Sequence, residues 1–67
     1  MTTTERDRLR RLYQLACHGA GAEPRREARN LIAAFLRQHS ITLAEALEDA
    51  GLDLGAYFAT APISLAK

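Results

Sequence analysis

A stripe of apolar residues in the middle of the chain repeats with the period of an α-helix. Its members stand at positions i, i+3, i+4, i+7 and i+8 and are Ala28, Leu31, Ile32, Phe35 and Leu36. Side chains at these spacings share one face of a helix, whereas a half-buried strand requires strict alternation of apolar and polar residues. Pro24, whose fixed φ angle suits a first helical turn, precedes the stripe. We therefore predict an amphipathic helix over about residues 24–38.

Two overlapping capping boxes open the chain. Thr2 stands three residues before Glu5, and Thr4 stands three residues before Asp7. In such a box, the hydroxyl of the first residue and the carboxylate of the second bind backbone N–H groups at the start of a helix. The apolar stripe that follows consists of Leu9, Leu12, Tyr13 and Ala16, and Leu15 widens it. These signals predict a helix over about residues 5–18.

A third capping box stands in the second half of the chain, where Thr42 precedes Glu45 by three residues. Gly51 follows at the position where a left-handed residue ends a helix in a Schellman cap. We therefore predict a helix over about residues 43–50.

A short fourth helix is expected over about residues 54–60, with Asp53 as its N-terminal cap. Leu54 and Phe58 are spaced i, i+4, so we expect both to cover the inside of this helix. Tyr57 lies next to this inner face on the helix surface, and we expect its hydroxyl to lie at a solvent-exposed edge of the helix.

The apolar composition supports an all-α fold. The chain contains thirteen Ala and ten Leu but no Val, and Ala and Leu are the best helix formers whereas β-branched residues favour strands. A length of 67 residues permits one domain. We predict that residues 1–67 form a single small bundle of three main helices plus the short fourth helix. The side chains expected to be least exposed are Leu12, Leu31, Ile32, Phe35 and Leu47.

Several classes of protein are disfavoured by the sequence. Cys17 is the only cysteine, so an internal disulfide and a cysteine-rich zinc site are both excluded. No stretch approaches the roughly 20 apolar residues of a membrane span. The opening Met-Thr-Thr-Thr leads into charged residues, which is unlike a signal peptide. These features predict a cytoplasmic protein that does not bind membranes.

No pattern in the sequence indicates a catalytic or metal site. Cys17 and His18 are adjacent, and neighbouring helical side chains point about 100° apart, so the two do not face each other. His18 and His39 both stand near predicted helix ends, but no carboxylate is positioned to complete a metal site with them. We therefore expect no enzyme activity, no cofactor and no bound metal.

Charge is unevenly distributed along the chain. Residues 1–39 contain eight arginines and four acidic residues, whereas residues 40–67 contain one lysine and four acidic residues. The arginines lie on the first two predicted helices and could merge into one basic surface. Two interpretations of these arginines remain open. They either solvate the outward faces of the helices or form a surface that contacts nucleic-acid phosphates.

Residues 26–58 resemble the helix-turn-helix of bacterial repressors of the tetracycline-repressor type. The stretch from Thr42 to Phe58 reads TLAEALEDAGLDLGAYF, in which a Thr caps one helix, Ala-Gly marks a turn and Gly-x-Tyr opens the next helix. The resemblance implies a bihelical turn. The stretch from Asp53 to Ala61 departs from the family because it lacks Arg, Lys, Asn and Gln, so no basic recognition helix is present. The chain also resembles short uncharacterised proteins of bacterial mobile elements, which implies an origin of that kind.

The function expected from these features is that of a non-enzymatic protein–protein interaction module. Such a chain fits a small bacterial or phage accessory, regulatory or inhibitor protein, and an anti-CRISPR-like inhibitor is one member of that class. The alternative is a small nucleic-acid-binding domain that uses the arginine faces of the first two helices. A protein partner, self-association and nucleic acid are all compatible with the sequence.

The predicted binding surface centres on the C-terminal segment, because aromatic residues in an uncharged patch are typical of interface cores. The apolar residues of this segment are Leu52, Leu54, Tyr57, Phe58, Ile63 and Leu65. The partner-binding residues that we predict are Tyr57, Phe58 and Leu54, with Arg25, Arg26 and Arg29 as a charged flank.

The capping box of the third helix provides a first test. We expect Thr42→Ala to lower the free energy of unfolding by about 1 kcal/mol, because the hydroxyl that accepts from the first turn is lost. Thermal denaturation followed by circular dichroism measures the change. An unchanged melting temperature would mean that the third helix begins elsewhere.

Overall fold

The structure is a computed structural model that describes residues 1–60, and within that range it contains four helices and no strand. The helices are α1 (Thr3–His18), α2 (Ala22–His39), α3 (Leu43–Ala50) and α4 (Leu54–Ala59). The predicted all-α bundle of three main helices and a short fourth is therefore confirmed. The expected contributions of Ile63 and Leu65 lie outside the described residues.

Helix α1 begins at Thr3, slightly earlier than the sequence suggested, because the first of the two capping boxes determines its start. The hydroxyl of Thr2 accepts from the N–H of Glu5 at 3.2 Å, and the N–H of Thr2 donates to the Glu5 carboxylate at 2.8 Å. Thr4 and Asp7 lie inside the helix and do not form a second box. A helix has one N-terminal cap, so only one of two overlapping boxes can form.

Helix α2 also begins earlier than predicted, at Ala22, so that Pro24 lies within the first turn rather than at its first residue. Pro is tolerated there because the first N–H groups of a helix have no intrahelical partner. The helix ends in a Schellman motif at Ser40, which has a left-handed φ of 55°. The N–H groups of Ser40 and Ile41 donate to the carbonyls of Arg37 and Leu36 at 3.3 and 3.2 Å, respectively.

Helix α3 has the predicted bounds and both predicted caps. The Thr42 hydroxyl accepts from the N–H of Glu45 at 3.2 Å, which confirms the capping box. Gly51 has a φ of 73° and Leu52 donates to the carbonyl of Leu47 at 2.8 Å, as a Schellman cap requires. The same motif therefore ends α2 with a serine and α3 with a glycine.

The short helix α4 ends at Ala59 rather than at residue 60 and is capped as predicted. The carboxylate of Asp53 accepts from the N–H groups of Gly55 and Ala56 at 3.3 and 3.1 Å. Each of these bonds satisfies a donor that the first turn leaves unpaired.

Helices α1 and α2 form an antiparallel hairpin. At one end, the His39 ring nitrogen Nε2 lies 3.6 Å from a carboxylate oxygen of Glu5. At the other end, the guanidinium of Arg29 donates to the carbonyl of Ala16 at 3.4 Å. The two contacts determine which residues of α1 and α2 lie at the same height along the hairpin.

Both short helices pack on the same side of this hairpin. The α1 residues that contact them stand at i, i+4 and i+7, so they form one stripe on that helix. Three hydrogen bonds of this stripe join Arg6 to the carboxylate of Asp49 at 3.1 Å, Arg10 to the carbonyl of Ala50 at 3.1 Å, and the Tyr13 hydroxyl to the carbonyl of Asp53 at 2.8 Å. The opposite side of the hairpin is left without a covering helix within residues 1–60.

All four helices contribute to one hydrophobic core. Its buried members are Leu9, Leu12, Tyr13, Ala16, Cys17, Ala28, Ile32, Phe35, Ala46, Leu47, Ala50 and Tyr57. Four of the five predicted core residues are therefore confirmed. The prediction for Leu31 is wrong, since its side chain is 46% exposed. Leu31 lies at the edge of the α2 stripe that faces away from α3 and α4, so no helix covers it.

The left-handed serine that ends α2 generates a second test. A residue with a Cβ costs roughly 1–2 kcal/mol in this conformation, whereas glycine adopts it freely. We expect Ser40→Gly to raise the free energy of unfolding by about 1 kcal/mol, equivalent to roughly 4–8 °C in melting temperature for a domain of this size. Ser40→Ala is the control, since it removes the hydroxyl but keeps the Cβ, and it should not stabilise. A melting temperature that falls on Ser40→Gly would contradict this account.

Candidate functional site

Tyr57 is buried against α1, contrary to the prediction that it occupies a wet edge of α4. Its side chain is only 6% exposed, and its ring stacks on Tyr13 with centroids 5.9 Å apart. Phe58, expected inside, is 62% exposed instead, and Leu54 is half-buried against the core. Helix α4 is turned in this way because the Tyr13 hydroxyl holds the carbonyl of Asp53, which places Tyr57 above the Tyr13 ring.

The guanidinium of Arg29 makes several contacts within the fold. One guanidinium nitrogen, Nη2, donates to the carbonyl of Tyr57 at 2.7 Å, to the Thr60 hydroxyl at 3.3 Å and to the carbonyl of Ala16 at 3.4 Å. The same guanidinium lies 4.0 Å from the centre of the Tyr57 ring in a cation–π contact. A cation here satisfies carbonyls near the C-terminal ends of both α1 and α4.

The cation also influences the ionisation of the phenol beneath it. Burial raises the pKa of Tyr57, and the positive charge of Arg29 acts in the opposite direction. Burial likewise raises the pKa of Tyr13, and the neighbouring Cys17 adds to that effect. Both phenols are therefore neutral at physiological pH and serve as packing groups.

The remaining two arginines of the predicted flank lie apart from Tyr57. Arg25 is half-buried, and its side chain fills the space beside Gly19. A Cβ atom added to Gly19 would lie only 3.0 Å from the Arg25 side chain. Arg26 is exposed and lines a shallow depression on α2 together with Glu23 and Glu27. The structure thus joins Arg29 to Tyr57 and leaves Arg26 outside that contact.

The arginines of α1 are divided between two sides of the helix. Arg6 and Arg10 donate to groups of α3, and Arg10 also contacts Asp7 at 3.2 Å. Arg8 and Arg11 are exposed, and their spacing from Leu15 places all three on another stripe of α1. The basic residues of the first two helices are therefore distributed over separate surfaces.

The side of the hairpin that α3 and α4 do not cover carries the exposed leucines of residues 1–60. Leu15 on α1 is 48% exposed and Leu31 on α2 is 46% exposed. A groove of about 340 Å³ runs between the helices here, and its lining includes Arg8 and Leu31. We call this surface the open face. Its residues are Arg8, Arg11 and Leu15 on α1, and Glu27, Leu31, Ala34 and Gln38 on α2.

Sequence reasoning missed the open face, although a signal was present. The apolar stripe of α2 spans both Leu31 and Leu36, and these edges of the stripe point to opposite sides of the hairpin. Leu15 widens the stripe of α1 in a similar way. A single layer of short helices can cover only one side of a hairpin, so stripes of this width leave apolar side chains on the other.

The two histidines lie at opposite ends of the hairpin and do not meet. His18 is exposed at the end of α1, whereas the His39 ring packs on Phe35 with centroids 4.4 Å apart. The backbone hydrogen bond from Thr2 holds the pKa of Glu5 below its usual value, and His39 acts in the same direction. Within residues 1–60, no three His, Cys, Asp or Glu side chains cluster closely enough to hold a metal ion.

Substitution of Arg29 tests its structural assignment. We expect Arg29→Ala to lower the free energy of unfolding by about 2 kcal/mol, because acceptors at the ends of two helices lose their donor. Arg26→Ala, which removes an exposed arginine from the same helix, should change it by less than about 0.5 kcal/mol. Urea denaturation of both variants measures the difference, and equal stabilities would show that the Arg29 contacts contribute nothing.

The comparisons with known proteins give no family for this chain. No protein-family model, no curated protein and no solved structure matches it. Among the helices of residues 1–60, none has the length and apolar character needed to cross a membrane.

Proposed function

We propose that this chain is a small, cytoplasmic, non-enzymatic protein–protein interaction module that serves a bacterium or phage as an accessory, regulatory or inhibitor protein. The observation that carries the proposal is the open face, where two leucines are about half exposed on the uncovered side of the hairpin. Contiguous apolar surface rimmed by charged groups is typical of protein interaction sites on small domains.

The register of the hairpin places the two leucines at similar heights on neighbouring helices. The pairing of Glu5 with His39 and of Ala16 with Arg29 sets the register of the hairpin. In that register, Leu15 and Leu31 lie at nearly the same height on neighbouring helices. An apolar centre of this kind is what the buried core of an interface requires.

Charged side chains surround the apolar patch. Arg8 and Arg11 lie along one edge, on α1, and Glu27 lies on the other edge, on α2. A polar rim around an apolar centre gives a partner both affinity and orientation.

The exposure of these leucines has an energetic cost for the isolated domain. Complete burial of one leucine contributes roughly 1.5–3 kcal/mol, so half-exposure forgoes about 1 kcal/mol for each. A chain of 67 residues has a small core and a correspondingly small margin of stability. A partner that covers the open face would recover this free energy.

Phe58 is a second exposed apolar side chain, but the proposal does not depend on it. It lies near the end of the described range, on the side of α4 away from Tyr57. Tyr57, the predicted centre of the binding surface, packs against Tyr13 and Arg29.

Nucleic-acid binding has weaker support than protein binding. Arg6, Arg10 and Arg29 donate to acceptors within the domain, although Arg10 remains about half exposed. Arg8 and Arg11 are exposed and make no such hydrogen bond within residues 1–60. Affinity for duplex DNA through these residues would fall steeply as the salt concentration rises.

Site-specific photo-crosslinking tests the proposal. A photoreactive residue replaces Leu31 on the open face, and a matched control carries it at exposed Ala44 on α3. We expect covalent protein adducts of discrete mass from Leu31 and none from Ala44 in cells that express the chain. Leu15→Glu in the Leu31 crosslinker variant should abolish the adducts, because the charge disrupts the apolar patch.

Two outcomes would contradict the proposed function. Equal crosslinking from Leu31 and Ala44 would show that the open face has no preference for a partner. Adducts that disappear on nuclease treatment would instead support the nucleic-acid alternative.

A further inference from the structure

We propose that Glu5 and His39 form a pH-sensitive clasp, an ion pair that ties the first turn of α1 to the last turn of α2 in mildly acidic solution and is lost as the solution becomes alkaline. The carboxylate oxygen Oε2 of Glu5 lies 3.6 Å from the ring nitrogen Nε2 of His39. Histidine is the side chain whose charge ordinarily changes between pH 5 and 8. This inference is independent of the proposed function.

The clasp lies at the end of the hairpin that no loop closes. At the other end, residues 19–21 join α1 to α2 directly. At the clasp, only contacts between side chains hold the first turn of α1 beside the last turn of α2. The hydrogen bond of Arg6 with Asp49, at 3.1 Å, ties the same turn of α1 to α3 and not to α2. The contact between Glu5 and His39 therefore acts where the hairpin has the least other support.

The surroundings of the His39 ring attract a positive charge. The nearest charged group is the carboxylate of Glu5. His39 is also the last residue of α2, and the C-terminal end of a helix carries a partial negative charge. The ring packs on Phe35 with centroids 4.4 Å apart, and the face of an aromatic ring attracts a cation at this range. A protonated imidazole at this position therefore finds an anion, a helix end and an aromatic ring.

Glu5 keeps its negative charge throughout the range in which histidine titrates. The N–H of Thr2 donates to its other oxygen, Oε1, at 2.8 Å. This backbone hydrogen bond holds the pKa of the Glu5 carboxyl below its usual value, and the charge of His39 acts in the same direction. Of the two partners, only the imidazole changes its charge between pH 5 and 8.

The other charged groups around the clasp come from α1, the chain start and α3. Arg8 on α1 lines the same groove as His39, and arginine is charged at every pH of interest. On α3, the carboxylate of Asp49 lies 3.8 Å from the Met1 amino group, and that of Glu45 binds the cap of its own helix. Carboxylates ordinarily titrate near pH 4 and an α-amino group near pH 8. A change between pH 5.5 and 7.5 therefore acts mainly on the histidines.

The clasp contributes to stability with a definite sign. A charged imidazole gains its anionic partner only in the folded chain, so the contribution is complete below the pH at which an unfolded histidine titrates. It disappears as the pH rises and the imidazole loses its proton. Both side chains are about one-third exposed, so solvent screens the ion pair and its effect on the melting temperature is modest.

A double-mutant cycle at two pH values tests the clasp. The parent chain, Glu5→Gln, His39→Gln and the double variant are melted at about pH 5.5 and about pH 7.5 and followed by circular dichroism. Glutamine retains the hydrogen bonds of a capping box, so Glu5→Gln removes the charge and keeps the cap of α1. We expect a coupling between the two positions of about 2–4 °C at the lower pH and of less than about 1 °C at the higher pH.

His18→Gln is the matched control, because His18 is an exposed histidine at the C-terminal end of the other long helix. It should show no coupling to Glu5 at either pH. A coupling between Glu5 and His39 that is equal at the two pH values, or absent at both, overturns the inference. The readout is the unfolding of the isolated chain, so neither result bears on the open face as a binding surface.

Discussion

The contact between Arg29 and Tyr57 determines which surfaces of this domain are covered. Helix α4 has six residues and is too short to be stable alone. The guanidinium of Arg29 holds the Tyr57 ring and carbonyl, and the Tyr13 hydroxyl holds the carbonyl that precedes the helix. Because these anchors lie on the side of the hairpin that α3 also covers, both short helices occupy one side. The open face exists because the other side receives neither of them.

Helix ends were predictable from the sequence because they depend on contacts between near neighbours. Thr42 and Gly51 act on backbone groups within five residues, so their roles follow from spacing alone. The left-handed conformation of Ser40 is not predictable from the sequence, since serine lacks the conformational freedom that marks glycine at such a position. The next residue, Ile41, packs against the core, and this packing offsets the conformational free-energy cost of the left-handed serine.

The positions of side chains around each helix were less predictable, because they depend on distant partners. Arg29 looks like a surface charge in sequence, yet its acceptors are 13 and 28 residues away. Tyr57 and Phe58 are adjacent aromatics, and only the position of Tyr13 decides which of them is buried. For the same reason, the sequence does not show that Leu15 and Leu31 are exposed and that Tyr57 is buried, because these exposures depend on where α3 and α4 pack.

Stability and binding are linked in a domain of this size. The leucines of the open face add little to the fold of one copy, because about half of each side chain remains in water. Any partner that binds the folded chain stabilises it by mass action, by about 2.7 kcal/mol when its free concentration is one hundred times the dissociation constant. The proposed function therefore couples the stability of this short chain to the binding of its partner. The width of the apolar stripes on α1 and α2 explains this arrangement, since one edge closes the core and the other edge leaves Leu15 and Leu31 exposed on the open face.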